Sequence, residues 1–214
     1  MSLYCFLLAP LVAWFRRPAL RGGGAGRGIF IAFASGAIAA AIGSAIGPLL
    51  PSGLFDFIRW VRLLAAVAFP PLIPLVLLLA MEKLSLARIR IDAETFALVF
   101  LVPFGAARAL SVGESYDPLT FVLIPSLWCA LAVGVPAMVR LARDEIGLRS
   151  YASGACAALL PLAAATSAWA FFSNLPLIGS VALAASAAPA SIALARIHLA
   201  AIAPVNEPGE SVNP

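Results

Sequence analysis

Charge is what this sequence has least of. Only 11% of its 214 residues are Asp, Glu, Lys or Arg, against roughly a quarter in a soluble domain. With 63% hydrophobic residues and a mean hydropathy of +1.02, too little polar surface remains to cover a water-soluble fold. Histidine is scarcer still: His198 is the one in the chain. It lies far in sequence from Cys5, Cys129 and Cys156, and no two of these cysteines form a CxxC pair. A zinc or cluster site is therefore not expected, and no cofactor is implied. The cysteines read as small apolar fillers, and His198 as the end of the last helix. Catalytic signatures are missing too: no GxSxG, no HExxH, no P-loop. The glycines of Arg21–Gly28, reading RGGGAGRG, follow no predicted strand and make a poor phosphate loop. With one His and no paired carboxylates inside the apolar blocks, acid–base chemistry has few candidates, so the chain does not read as an enzyme. The net charge of +4 is scattered through loops and forms no basic stripe, which argues against nucleic acid as a partner.

What the sequence does have is long apolar runs. Charge-free blocks extend from Gly28 to Phe55, Leu63 to Met81, Pro118 to Val139 and Ser150 to Ala195. About 20 apolar residues carry a helix across the hydrocarbon core. The runs do not alternate, which excludes a β-barrel, and backbone groups in lipid must be paired within a helix. The expected fold is an all-α integral membrane protein. Six spans near 29–50, 58–80, 94–112, 118–139, 151–172 and 176–196 form three consecutive helical hairpins. Residues 1–27 read as an interfacial segment and Gly-rich hinge, 28–198 as the transmembrane domain, and 199–214 as a polar, Pro-rich disordered tail. Met1–Phe15 is apolar but short. It reads as interfacial, with a seventh span as the alternative.

The basic residues set the threading. Eleven of the fourteen Lys and Arg fall on one face: Arg16, Arg17, Arg21, Arg27, Lys83, Arg88, Arg90, Arg140, Arg143, Arg149 and Arg196. The other face receives Arg59, Arg62 and Arg108. By the positive-inside rule both termini are cytoplasmic, in an inner membrane crossed several times.

Within the first span small residues recur every four positions. Ala32, Gly36, Ala40 and Ser44 form one row, and Ser35, Ala39, Gly43 and Gly47 another. Such rows let helix backbones approach closely, either inside one bundle or against another membrane subunit or second copy. Gly36, Ala40, Gly43 and Gly47 are the expected packing residues. Ala182, Ser186 and Ala190 repeat the pattern in the last span. Proline interrupts most spans, and FPPLIP at 69–74 is expected to break or bend the second near mid-membrane. Pro70, Pro71, Pro74 and Pro103 are therefore candidates for a kinked pathway, or for bends that serve shape alone. The triplet Leu-Ala-Arg recurs at 86–88, 141–143 and 194–196, which suggests a repeated helical hairpin.

The three Arg residues that defy the charge bias are the functional candidates. Asp56, Arg59 and Arg62 share one side of the entry to the second span, and Arg108 lies inside the third, with Glu114 in the loop beyond. A charge at that depth is costly unless paired or hydrated. The cluster is either self-neutralising or a site for a small anionic or zwitterionic solute, with Arg supplying bidentate recognition. The size, the six spans and the small-residue first helix look like the substrate-capture subunits of energy-coupling-factor importers. The likeness is one of architecture and covers no motif. The reading is a small-solute transport protein or membrane subunit of a transporter. The alternative is a non-catalytic scaffold subunit of a larger membrane complex.

Overall fold

A computed structural model of the chain describes residues 25–46, 56–83, 92–111, 118–144 and 146–202. The segment Met1–Phe15, Gly47 and the tail beyond 202 lie outside them. All the described elements are helices: α1 (Ala25–Ile46), α2 (Asp56–Lys83), α3 (Ala93–Ser111), α4 (Pro118–Asp144), α5 (Leu148–Phe172) and α6 (Pro176–Ile202). Five are long and apolar enough to cross a membrane, while α3 carries a shorter apolar stretch, Ala93–Ala106. The result is an all-α membrane bundle.

Three boundaries differ from expectation for identifiable reasons. α1 starts at Ala25, so the last residues of the Gly-rich hinge are helical. Gly28 is buried, and packing there offsets the roughly 1 kcal/mol that glycine costs in a helix. α4 and α6 run past their apolar blocks to Asp144 and Ile202, because a helix continues beyond the hydrocarbon once its polar turns reach the interface.

α2 stays helical through Pro70, Pro71 and Pro74 and is not broken there. Pro70 has no N–H to give the carbonyl of Ala66, four residues earlier. The indole N–H of Trp128, from α4, donates to that oxygen at 3.1 Å. The backbone group freed by proline is thus satisfied by a neighbouring helix, as lipid demands. Pro71, Pro74 and Pro125 are themselves fully buried.

α4 is the hub. Its Ile124, Trp128 and Ala132 pack with Ala97, Leu98, Phe100 and Leu101 of α3. One row over, Leu123, Leu127, Leu131 and Val135 pack with Val67 of α2 and Leu160, Ala164 and Ala168 of α5. Both rows follow the four-residue spacing that puts side chains one above another on a helix. A chain of rings joins α3 to α4: Phe100 stacks on Phe104 at 6.2 Å, and Phe104 meets Trp128 edge-on at 5.7 Å.

α1 packs chiefly on α3 and barely touches α2, so the first two helices are sequential without being a tightly packed pair. Ala32, Gly36 and Ala40 form the buried side of α1. A Cβ on Gly36 would stand 2.2 Å from the Phe100 carbonyl oxygen, an approach only glycine permits. Gly43 is looser, with Phe104 3.8 Å from its notional Cβ. Ser186 and Ala190 of α6 are likewise buried, with Ala190 against Gly134 of α4. α1 and α6 otherwise expose Phe30, Ile38, Leu177 and Val181, the surface a lipid-facing helix presents.

The turns are built from local chemistry. Asn174, at φ 57°, closes α5: Leu175 N–H donates to Ala170 O at 2.8 Å and Asn174 N–H to Phe171 O at 3.2 Å, a Schellman pair. Gly147, at φ 77°, turns the chain between α4 and α5. The Ser150 hydroxyl donates to the Ala142 carbonyl at 2.6 Å, covering one of the acceptors that the end of α4 leaves open.

Candidate functional site

Packing aligns the helices end to end. Leu78 of α2 meets Phe96 of α3 and Ala32 of α1, while Ala66 of α2 meets Trp128, whose ring touches Phe104. α2 therefore runs antiparallel to α3, and the bundle has an Arg62 end and an Arg140 end. From Arg62 to Leu78 is 16 residues of helix, about 24 Å.

At the first end Arg62 is exposed. Trp60, two residues earlier, donates to the Thr166 hydroxyl at 3.4 Å, tying α2 to α5. The backbones of Asp56 and Arg59 begin α2, and that of Arg108 lies in the last turns of α3, so the topology brings all three to this end. Their side chains, and Glu114 entirely, lie outside the described residues. The candidate kink residues line no described cavity. Pro70, Pro71 and Pro74 are buried and Pro103 is half-buried, packed beside Gly36.

The opposite end holds a pair that the spacing of charges does not single out. Glu94, in the first turn of α3, has its side chain 2% exposed. Its Oε1 accepts from Nη2 of Arg140 on α4 at 2.6 Å. The Arg140 side chain is 55% exposed, so the pair joins a buried carboxyl group to a half-exposed guanidinium. Two features surround its carboxyl group. The first turn of a helix presents unpaired N–H groups and the positive end of its dipole. The guanidinium adds a charge-assisted hydrogen bond. Thr95, the next residue, is also buried, and its hydroxyl finds no partner among the described residues.

Local sequence does not select this pair. Glu94 opens an apolar run, and the positions three and four residues on are Ala97 and Leu98. Arg90, four residues earlier, is a nearer cation in sequence, so it is the packing of α3 on α4 that selects the partner. That partner is Arg140, which closes the fourth span, 46 residues away.

Two partly open grooves flank Arg140. The first, about 340 Å³, lies between α2 and α4, with Leu75, Leu79 and Val139 on its walls and Arg140, Arg143 and Asp144 at its end. The second, about 320 Å³, lies between α4 and α6 and includes Glu94, Arg140, Asp144 and Ile192. The ion pair thus stands where the two grooves approach each other, and opening it would change both. Among the described residues no three of His, Cys, Asp and Glu gather as a metal site would require. The chain matches no protein-family model, no curated protein and no solved structure, so the site's own geometry carries the functional reading.

Proposed function

We propose that this chain is a small-solute transport protein or the membrane subunit of a transporter, acting on a small anionic or zwitterionic solute. The observation that supports this most is the buried Glu94 paired with the half-exposed Arg140, with a groove on either side. Ionisable groups inside a span are expensive and mark solute and ion pathways. A two-membered ion pair between grooves is a gate by its chemistry, because a charged solute can replace either partner. The Lys and Arg division supports a cytoplasmic Arg140 end and an external Arg62 end, with both termini cytoplasmic. Asp56, Arg59, Arg62, Arg108 and Glu114 would then supply the outer attraction for the solute. Between the ends, Trp128, Pro71, Pro74 and Pro125 fill the bundle, so passage requires α2 and α4 to shift against each other, as in alternating access.

That filled middle also favours the second reading, a scaffold subunit that moves nothing. Native mass spectrometry of the chain from its own membrane separates the two. The transport reading expects a bound small polar solute that is lost in both Arg62→Gln and Arg140→Gln. A stoichiometric second polypeptide, with no solute and no effect of either substitution beyond stability, would establish the scaffold.

A further inference from the structure

We propose that the groove between α2 and α4 holds one anionic phospholipid, headgroup at the Arg140 end. The inference goes beyond the transport reading and stands without it, since a resident lipid serves a scaffold equally well.

The groove joins two surfaces that only an amphiphile matches at once. Its walls include Leu75 and Leu79 of α2 and Val139 of α4, with Leu79 48% and Val139 37% exposed. They form an apolar trough open to the side. At its end stand Arg140 and Arg143, three residues apart and so on one face of α4. Arg143 is exposed and has no ion pair among the described residues. Lys83, also exposed, continues the Leu75–Leu79 row by one further turn, bringing a third cation to the same end of α2. The groove's own lining holds two cations, Arg140 and Arg143, against one carboxylate, Asp144; behind it Glu94 is engaged by Arg140, and Asp92 is exposed beside the lining residue Ala93. Within the lining the surplus is positive, and guanidinium donors fit phosphate oxygens. From Leu75 to Lys83 is about 12 Å of helix, with Leu75 and Leu79 on the groove wall, enough to seat the upper part of an acyl chain. A free phosphate would meet the arginines but gain nothing from the leucines. Basic pockets between helices at the membrane surface are where anionic headgroups settle.

The test uses the full chain purified in a neutral detergent. Dioleoyl phosphatidylglycerol, dioleoyl phosphatidylcholine and inorganic phosphate are titrated separately, read by native mass spectrometry and by the thermal midpoint. The expected result is one phosphatidylglycerol bound per chain, raising the midpoint, with phosphatidylcholine at least about fivefold weaker. Arg143→Gln and Lys83→Gln each weaken phosphatidylglycerol about fivefold, both at exposed positions where folding is unaffected. Arg62→Gln, at the other end, leaves that affinity unchanged. Equal binding of the two lipids, or indifference to Arg143→Gln and Lys83→Gln alike, overturns the proposal. A midpoint shift reproduced by inorganic phosphate alone also overturns it, in favour of a soluble anion site.

Discussion

Arg140 and Glu94 share one hydrogen bond but not one environment. The carboxylate is buried and the guanidinium half in solvent, so the two ends of the pair respond differently to loss. Arg140→Gln leaves a buried carboxylate without its counter-charge, which costs on the order of 3 kcal/mol. Glu94→Gln leaves an arginine that can turn outward to water, and costs less. The double substitution should recover part of what Arg140→Gln loses, because a neutral amide pair can hydrogen-bond in the same place. Thermal melts of the four proteins in one detergent check the order, and equal midpoints for Arg140→Gln and Glu94→Gln would contradict it. Trp128 offers a second case at this scale. Trp128→Phe removes the donor to the Ala66 carbonyl that Pro70 leaves open, and should cost about 1 kcal/mol for the bond plus the gap left by the smaller ring. Neither residue announced its role in sequence. A carboxylate at the rim of an apolar run looks like a solvated turn residue, and a tryptophan within a span looks like bulk. Their partners, Arg140 and Ala66, are 46 and 62 residues away, beyond any local pattern.

At the scale of elements the sequence was far more legible. Each of the six expected spans coincides with a described helix, because lipid leaves the backbone no other way to pair its polar groups. The small-residue rows of α1 were visible as well, but not their inequality. Periodicity marks Gly36 and Gly43 alike, while only contact with α3 distinguishes them. A Cβ at Gly36 would press on the Phe100 carbonyl at 2.2 Å and on Pro103 Cγ at 2.9 Å; at Gly43 it would rest 3.8 Å from Phe104. Gly36→Ala should therefore force α1 off α3 and destabilise by roughly 1–3 kcal/mol. Gly43→Ala should be neutral or gain a few tenths of a kcal/mol from helix propensity. Midpoints that fall equally in both variants would mean that the two helices do not meet as described. The repeated Leu-Ala-Arg triplets teach the same caution. The second closes α4, the buried hub, and the third lies in α6, which is largely exposed along its span. Similar hairpins, if they share an origin, occupy dissimilar places.

For the whole molecule the decisive element is α3, the shortest of the six helices and the one with the shortest apolar stretch. Hydropathy by itself leaves its crossing open, and with it the side on which everything after it lies. Packing supplies the missing argument. Along α1, Ala32, Gly36 and Gly43 meet Phe96, Phe100 and Phe104 of α3 in that order, so the two helices run in the same direction. α2 runs back between them in sequence, antiparallel to α3. Three helices that alternate in this way must each pass from one end of the bundle to the other. At 19 residues, α3 spans about 28 Å, close to the thickness of the hydrocarbon core. It needs little apolar surface of its own, because Glu94, Thr95, Phe96, Ala97 and Leu98 are all buried by its neighbours and α1 shields it from lipid. Reporter fusions after Arg90 and after Gly113 should therefore read on opposite sides, with Arg90 internal and Gly113 external by the Lys and Arg division. Fusions after Gly53 and Asn174 should agree with Gly113. Arg90 and Gly113 on the same side would make α3 a helix that enters without crossing. The Glu94–Arg140 pair could then no longer link the starts and ends of crossing helices, and both the gate and the outer cluster would lose their opposite placement.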